Sequence, residues 1–204
     1  MLYPELDGLD FAELREKFTG PPLEGPEYAV AYYTEVAVLM RAVGGDDAVA
    51  YLLHVADEVA DPARTGAAFV ALTMPPAVET PAVRELFASH LNDERAHVVM
   101  EAIEGLAALR DATRRAQVMA LRDHGDPFVR GAVLRYLASL DEGDAIAAAV
   151  QALHDPAAVV RSSAIDVLDD AEAVDTAPLI RPFLADSDPN VRKAAEWAVR
   201  HLES

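Results

Sequence analysis

Apolar residues recur at relative positions 0, 4 and 8 of a 31-residue frame. Val98, Val129, Val160 and Val191 hold the first column, Ala102, Val133, Ala164 and Ala195 the second, and Leu106, Leu137, Leu168 and Val199 the third; Leu109, Leu140 and Leu202 close three of the copies. A stripe at spacing four follows one face of an α-helix, because side chains four apart lie above one another, whereas a strand would alternate. Arg130, Arg161 and Arg192 keep the same frame. A period of this length marks a solenoid, in which each unit buries its apolar face only against its neighbours. Each copy reads as a helix pair whose second helix is amphipathic.

The start of that second helix is marked by Asp126-Pro127, Asp155-Pro156 and Asp188-Pro189, with Asp61-Pro62 repeating the device earlier. Aspartate accepts from the free N–H groups of a first turn, and proline at the first helical position lacks the N–H that would be orphaned. Ahead of these signals, Leu121-Arg122-Asp123, Leu153-His154-Asp155 and Leu184-Ala185-Asp186 read as the end of the first helix and the turn, with Leu91-Asn92-Asp93 as a weaker copy. The expected fold is all-α, an α-solenoid of stacked antiparallel helix pairs. We expect one elongated domain over 1–204: an N-terminal helical cap at 1–45, degenerate helix pairs at 46–111 and three regular repeats at 112–204.

The order Leu-x-Asp, short turn, Asp-Pro, Val-Arg, then spaced Ala and Leu resembles the HEAT-like repeats of bacterial phycobilisome-lyase-type proteins and of many adaptors. The resemblance covers 112–204, and 79–111 in weaker form with Val99 in the arginine column. It implies that Arg130, Arg161 and Arg192 form a structural ladder with turn aspartates of neighbouring repeats; an arginine row that binds an anionic ligand is the alternative. It also implies that a lyase, isomerase or chaperone acting on a bilin-like chromophore is a possible function, although no residue here can be assigned to handling one.

Charge changes the picture of partners. The chain carries 35 acidic and 17 basic residues, a net charge of −18, and the first half is the more acidic. Binding to nucleic-acid phosphate needs clustered Lys and Arg to displace counterions, so nucleic acid is disfavoured. A basic protein or peptide is the natural partner class; solubility of an Ala- and Leu-rich chain is the other reading of the same acidity. No apolar run reaches the roughly 20 residues of a membrane span. The opening Met1-Leu2-Tyr3-Pro4-Glu5 lacks the basic start and apolar run of a secretory signal. No membrane association is expected, and a cytoplasmic location is. The absence of Cys removes disulfides, thiolate chemistry and Cys-based zinc sites.

Candidate chemistry is sparse. HEAT-like hydroxylases of the deoxyhypusine type hold iron with His-Glu dipeptides, and none of the six histidines here is followed by Glu. His90, Glu94 and His97 could share a helix face, and Glu94-x-x-His97 is half of a di-iron carboxylate motif. The other half is missing, and a Leu-Asn-Asp turn interrupts the helix. No nucleophile elbow or phosphate-binding loop is present. The acid-rich stretches Asp141-Glu142-Gly143-Asp144 and Asp166 to Asp175 lack the ligand spacing of a calcium loop and read as solvated turns. No cofactor, metal or catalytic residue is therefore expected.

What remains is the variable face of the second helices. One column holds Glu104, Arg135, Asp166 and Trp197, another Ala108, Ser139, Asp170 and His201. The face passes from Asp166, Asp169 and Asp170 to Lys193, Trp197, Arg200 and His201, and these seven residues are the candidate partner-binding site. Trp197 follows charged residues in its column, so it should be largely open; it either folds back on the solenoid or anchors a partner, including a second copy joined through the C-terminal helix. Tyr28, Tyr32 and Tyr33 fall on a helix expected from about 27 to 43, with Tyr28 and Tyr32 sharing a face, as core residues or as the lining of an apolar groove. The reading is a non-catalytic interaction or adaptor module binding a basic protein, with an inhibitor or immunity-type protein as one form.

Overall fold

Proline and aspartate set the helix starts. In the computed structural model, Asp61, Asp126 and Asp188 each cap a helix that begins with proline, accepting from backbone N–H groups two or three residues on. Thr80 does the same ahead of Pro81, a start that the Asp-Pro signal does not reveal. The structure describes residues 2–23, 25–58, 61–74 and 80–203. Met1 and the side chain of Glu142 lie outside them. The acid-rich stretches are not simply solvated turns: Glu142 to Asp144 begin a helix that Asp141 caps, and Asp166 to Asp170 lie within another.

The described residues form helices α1 (Phe11–Thr19), α2 (Ala29–Glu58), α3 (Pro62–Thr73), α4 (Pro81–Ser89), α5 (Ala96–Ala108), α6 (Arg115–Met119), α7 (Pro127–Leu140), α8 (Glu142–Ala152), α9 (Ala158–Asp170), α10 (Ala177–Ile180) and α11 (Pro189–Leu202), joined by short 3-10 turns and without a strand. The fold is an all-α solenoid of helix pairs. Its helices cluster into two compact units, Met1–Leu109 and Arg110–Ser204.

In the first unit α2 packs along α3 and α1, and α5 packs on α3 and α4. Gly45, at φ 54° and ψ −136°, breaks α2 into two helical stretches; its left-handed φ is one that L side chains rarely adopt. The missing 31-residue register is replaced by aromatic packing. Tyr3 meets Tyr32 edge-on at 5.1 Å and Phe18 meets Tyr33 at 5.5 Å. Tyr32 and Tyr33 are core residues. Tyr28 is not on their helix: it ends the 3-10 turn Pro26–Tyr28 and is half exposed. Arg64 ties the unit together, donating from Nε to the Phe18 carbonyl and from Nη2 to the Gly20 carbonyl and the Tyr33 hydroxyl, with its guanidinium 4.3 Å from the Tyr33 ring.

In the second unit α7, α9 and α11 pack in succession, backed by α8 and by the α10 turn. The repeat columns explain the core: Val129, Val133, Leu137, Val160, Ala164, Leu168, Val191 and Ala195 are all buried. Tyr136 donates to the Asp111 carbonyl at 2.6 Å, and burial pushes its phenol up to about 12. α9 ends through Glu172, a non-glycine residue in the left-handed region at φ 47°, which turns the chain back toward the next first helix.

Candidate functional site

Three arginines, each in the first turn of its helix, make the same bonds. Arg130 Nη1 donates to the carbonyls of His124 and Gly125, Arg161 Nη1 to those of Asp155 and Pro156, and Arg192 Nη1 to those of Asp186 and Ser187, at 2.8–3.3 Å. The rest of the fork reaches the next copy. Arg130 Nε and Nη2 hold both carboxylate oxygens of Asp155 at 2.9 and 2.7 Å, and Arg161 holds Asp186 at 2.9 and 2.8 Å. Bidentate pairs of this kind are the strong form of the ion pair. The arginine bonds keep the Asp155 and Asp186 carboxyls below the usual carboxylate range.

This geometry corrects one reading of the sequence. Asp155-Pro156 is not a helix start equivalent to Asp126-Pro127. Ala157 is the residue that precedes the first turn of α9, and no side chain caps it. Asp155 belongs with Asp93, His124 and Asp186 in a turn column. Each accepts, through a side-chain atom, the backbone N–H two residues on, from Arg95, Asp126, Ala157 and Asp188. His124, not Asp123, is therefore the turn residue of its copy. At Asp93 the carboxylate is held by Arg95 of its own turn, at 2.9 Å to Nε and to Nη2, which holds it down at about 2.

Asp166, Asp169 and Asp170 form a ridge along α9, at the spacings that put residues on one helical face. Asp166 and Asp170 are exposed and Asp169 is half-buried. Partial burial and then the neighbouring Asp170 and Asp169 carboxylates raise the Asp166 carboxyl above its ordinary value. Asp169 Oδ1 lies 2.8 Å from His201 Nδ1, so the acidic ridge touches α11. On α11, Lys193, Arg200 and His201 are exposed, and Trp197 is 59% exposed with the Arg200 guanidinium 5.5 Å from its ring. The indole does not fold back into the core.

The profile of HEAT repeats matches residues 85–169 and 115–200, together more than half of the chain. The chain belongs to the HEAT-repeat family. No curated protein matches it significantly. Among solved structures it is similar to an engineered protein at 18% identity and TM-score 0.52, covering 97% of this chain and 93% of that one. A second engineered protein gives 19% identity, TM-score 0.57 and coverage of 95% and 58%. Cex1p gives 16% identity, TM-score 0.52 and coverage of 98% and 43%. HEAT-repeat solenoids generally present extended surfaces to protein partners.

The remaining groups of this HEAT-repeat chain do not converge. His90 is buried, with Nδ1 2.9 Å from the Leu86 carbonyl and its ring edge-on to Phe69, while Glu94 and His97 are exposed. Among the described residues no cluster of ligands could hold a metal, and no helix is long and apolar enough to cross a membrane. A cleft of about 440 Å³ in the second unit is lined by Arg130 and Asp155, already paired with each other, and by Val133, Leu134 and Leu137. In the first unit an apolar cleft of about 510 Å³ lies among Leu2, Ala31, Val38, Leu39 and Met74. Glu101 escaped the sequence reading: burial, and then the nearby Glu104, push its carboxyl up to about 7. Its only sequence signal is a Glu in the column of Ala132, Ser163 and Ala194.

Proposed function

We propose that this HEAT-repeat chain is a non-catalytic interaction module whose acidic ridge, Asp166, Asp169 and Asp170, binds a basic protein, in the manner of an adaptor or inhibitor. The observation that carries the reading is the crowding of three carboxylates on one face of α9, where burial and then the neighbouring carboxylates raise the Asp166 carboxyl, with His201 Nδ1 2.8 Å from Asp169. A row of like charges resists its own ionisation, and a Lys- or Arg-rich surface docking on it relieves that repulsion. Trp197 and its basic neighbours extend the contact surface along α11. Large exposed aromatics ringed by polar residues are the usual anchors of protein interfaces.

The test is capture from the native host with the wild-type chain and with the D166N/D169N/D170N variant, read by mass spectrometry. Basic proteins retained by the wild type and lost by the variant support the reading. Equal capture by both overturns it.

A further inference from the structure

Side-chain size is uneven along the 31-residue frame in the second unit. Ala148 and Ala152 of α8 stand where the next copy carries Leu179 and Phe183, in the same register that matches Asp155 to Asp186. Taking that much side-chain volume out of a packed repeat leaves open space unless the neighbours close in. They do not. The cleft of about 440 Å³ opens beside these two alanines, over Val133, Leu134 and Leu137 of α7 and Val160 of α9. Those four side chains are almost fully buried, so the cleft reaches down to the core. Its walls come from residues 119 to 160, within the repeats of one unit.

The mouth has a polarity of its own. Arg122, Asp123, Gln151 and His154 line it and are exposed, whereas the deeper Arg130 and Asp155 are spent on each other. Arg122 Nε donates to Asp123 at 3.2 Å, and among the described residues this leaves both Nη groups of Arg122 to spare. Both side chains of that pair stand well out in solvent, where ion pairs hold loosely. The surrounding stretch is basic within an acidic chain: residues 110–135 hold six Arg against three Asp, a local balance of +3 in a total of −18. Even with Asp144 and Asp155, which pair with Arg115 and Arg130 from outside the stretch, six bases face five acids. The mouth thus favours an anionic group, while the buried surface below it takes an apolar body.

We infer that this cleft is a small-molecule site whose ligand is a compact aryl carboxylic acid. The ring lies over Val133, Leu134 and Leu137, in the room left by Ala148 and Ala152, and the carboxylate meets the Nη groups of Arg122. Phe183, at the position aligned with Ala152, sets the size of ring that the frame accommodates. A guanidinium takes a carboxylate through two parallel bonds, as Arg130 already takes Asp155. The volume falls within the range of roughly 300–1,000 Å³ typical of ligand sites. None of these residues belongs to the acidic ridge, and the site does not depend on it.

The experiment titrates 3-phenylpropionate into the chain labelled with carbon-13 at its methionine methyls. Met119 lines the cleft and reports its occupancy, while Met40, Met74 and Met100 serve as controls. A saturable shift confined to Met119 is expected. 3-Phenylpropanamide, which has the same shape without the charge, should bind about tenfold more weakly, the scale of one charge-assisted pair. Acetate at the same concentration should leave Met119 unmoved, for want of the ring. Arg122→Gln should bring the acid down to the affinity of the amide. Ala152→Phe, which copies the next repeat, should abolish binding of both compounds while its urea midpoint stays at or above that of the wild type; if that chain does not fold, Ala148→Leu fills the same space and is judged by the same shift. An unmoved Met119 with 3-phenylpropionate overturns the inference, as does equal affinity for acid and amide. Undiminished binding to a folded cleft-filling variant also overturns it, because the ligand would then sit elsewhere.

Discussion

Arg161 and Asp186, 25 residues apart in sequence, form a two-point ion pair at 2.9 and 2.8 Å in which both side chains are largely buried, at 14% and 9% exposure. The pair joins one helix turn to the next copy, and the Arg161 Nη1 bonds lock the same guanidinium to its own turn. Arg161→Ala removes both. The lost bonds are largely exchanged for bonds to water and do not add up, whereas leaving the Asp186 carboxylate without its partner costs about 1–3 kcal/mol in desolvation. Arg161→Ala should lower stability by about 1–3 kcal/mol, and Arg192→Ala by less, because Arg192 holds only carbonyls. Urea unfolding of the two variants measures the difference; equal losses would mean the carboxylate adds nothing.

The same pairs set an acid limit. Asp93, Asp155 and Asp186 all have depressed carboxyl values in the folded chain, Asp93 at about 2, each chiefly through its arginine. A depressed folded value means stability that is present above the unfolded value of about 4 and is lost as pH falls through the folded one. Unfolding midpoints should therefore drop between about pH 4 and pH 2. Asp93→Asn should reduce that drop and also lower stability at pH 7.

Glu101 works in the opposite sense. Its folded value of about 7 lies above the 4.5 of an ordinary glutamate, so the folded chain binds its proton more tightly. That contribution is full below about pH 4.5 and is lost as pH rises toward 7. Glu101→Gln should raise the unfolding midpoint at pH 8 relative to wild type and leave it nearly unchanged at pH 4. A variant no more stable at pH 8 would show that the burial of the carboxyl costs nothing.

How far the sequence revealed this molecule depended on what fixed each residue. The columns headed by Val129, Val160 and Val191 were legible because buried packing tolerates few alternatives at a helical period. The role of Asp155 was not, since Asp-Pro looks alike whether the aspartate caps its own helix or receives an arginine from the preceding copy; only the distance to Arg130 decides. Asp93 was legible as the turn residue of a weaker copy, but its closure by Arg95 was not, because Arg95 fills the place where two other copies carry Asp126 and Asp188. The contact between Asp169 and His201 depends on how α9 and α11 stack, which no column spacing expresses. In the N-terminal part, aromatic packing around Tyr32 and Phe18 replaced the repeat and left no period to read.

Trp197 is the sole tryptophan, 59% exposed, with Arg200 over its ring. Its emission should be red-shifted in dilute solution. Trp197→Ala should change stability by no more than about 0.5 kcal/mol, as for other surface positions. Blue emission in the dilute chain together with a large loss on substitution would place the indole in the core.

The acidic ridge gives the most direct test of the interaction reading. Exposed charges act mainly by steering encounter, an effect screened beyond about 8 Å at physiological salt. Stopped-flow association of the chain with its captured basic partner should slow steeply as salt rises, and D166N/D169N/D170N should associate more slowly and with a flatter salt dependence, its fold unchanged by circular dichroism. An association rate that is the same at low and high salt, or one that the triple variant leaves unaltered, would contradict recruitment by Asp166, Asp169 and Asp170.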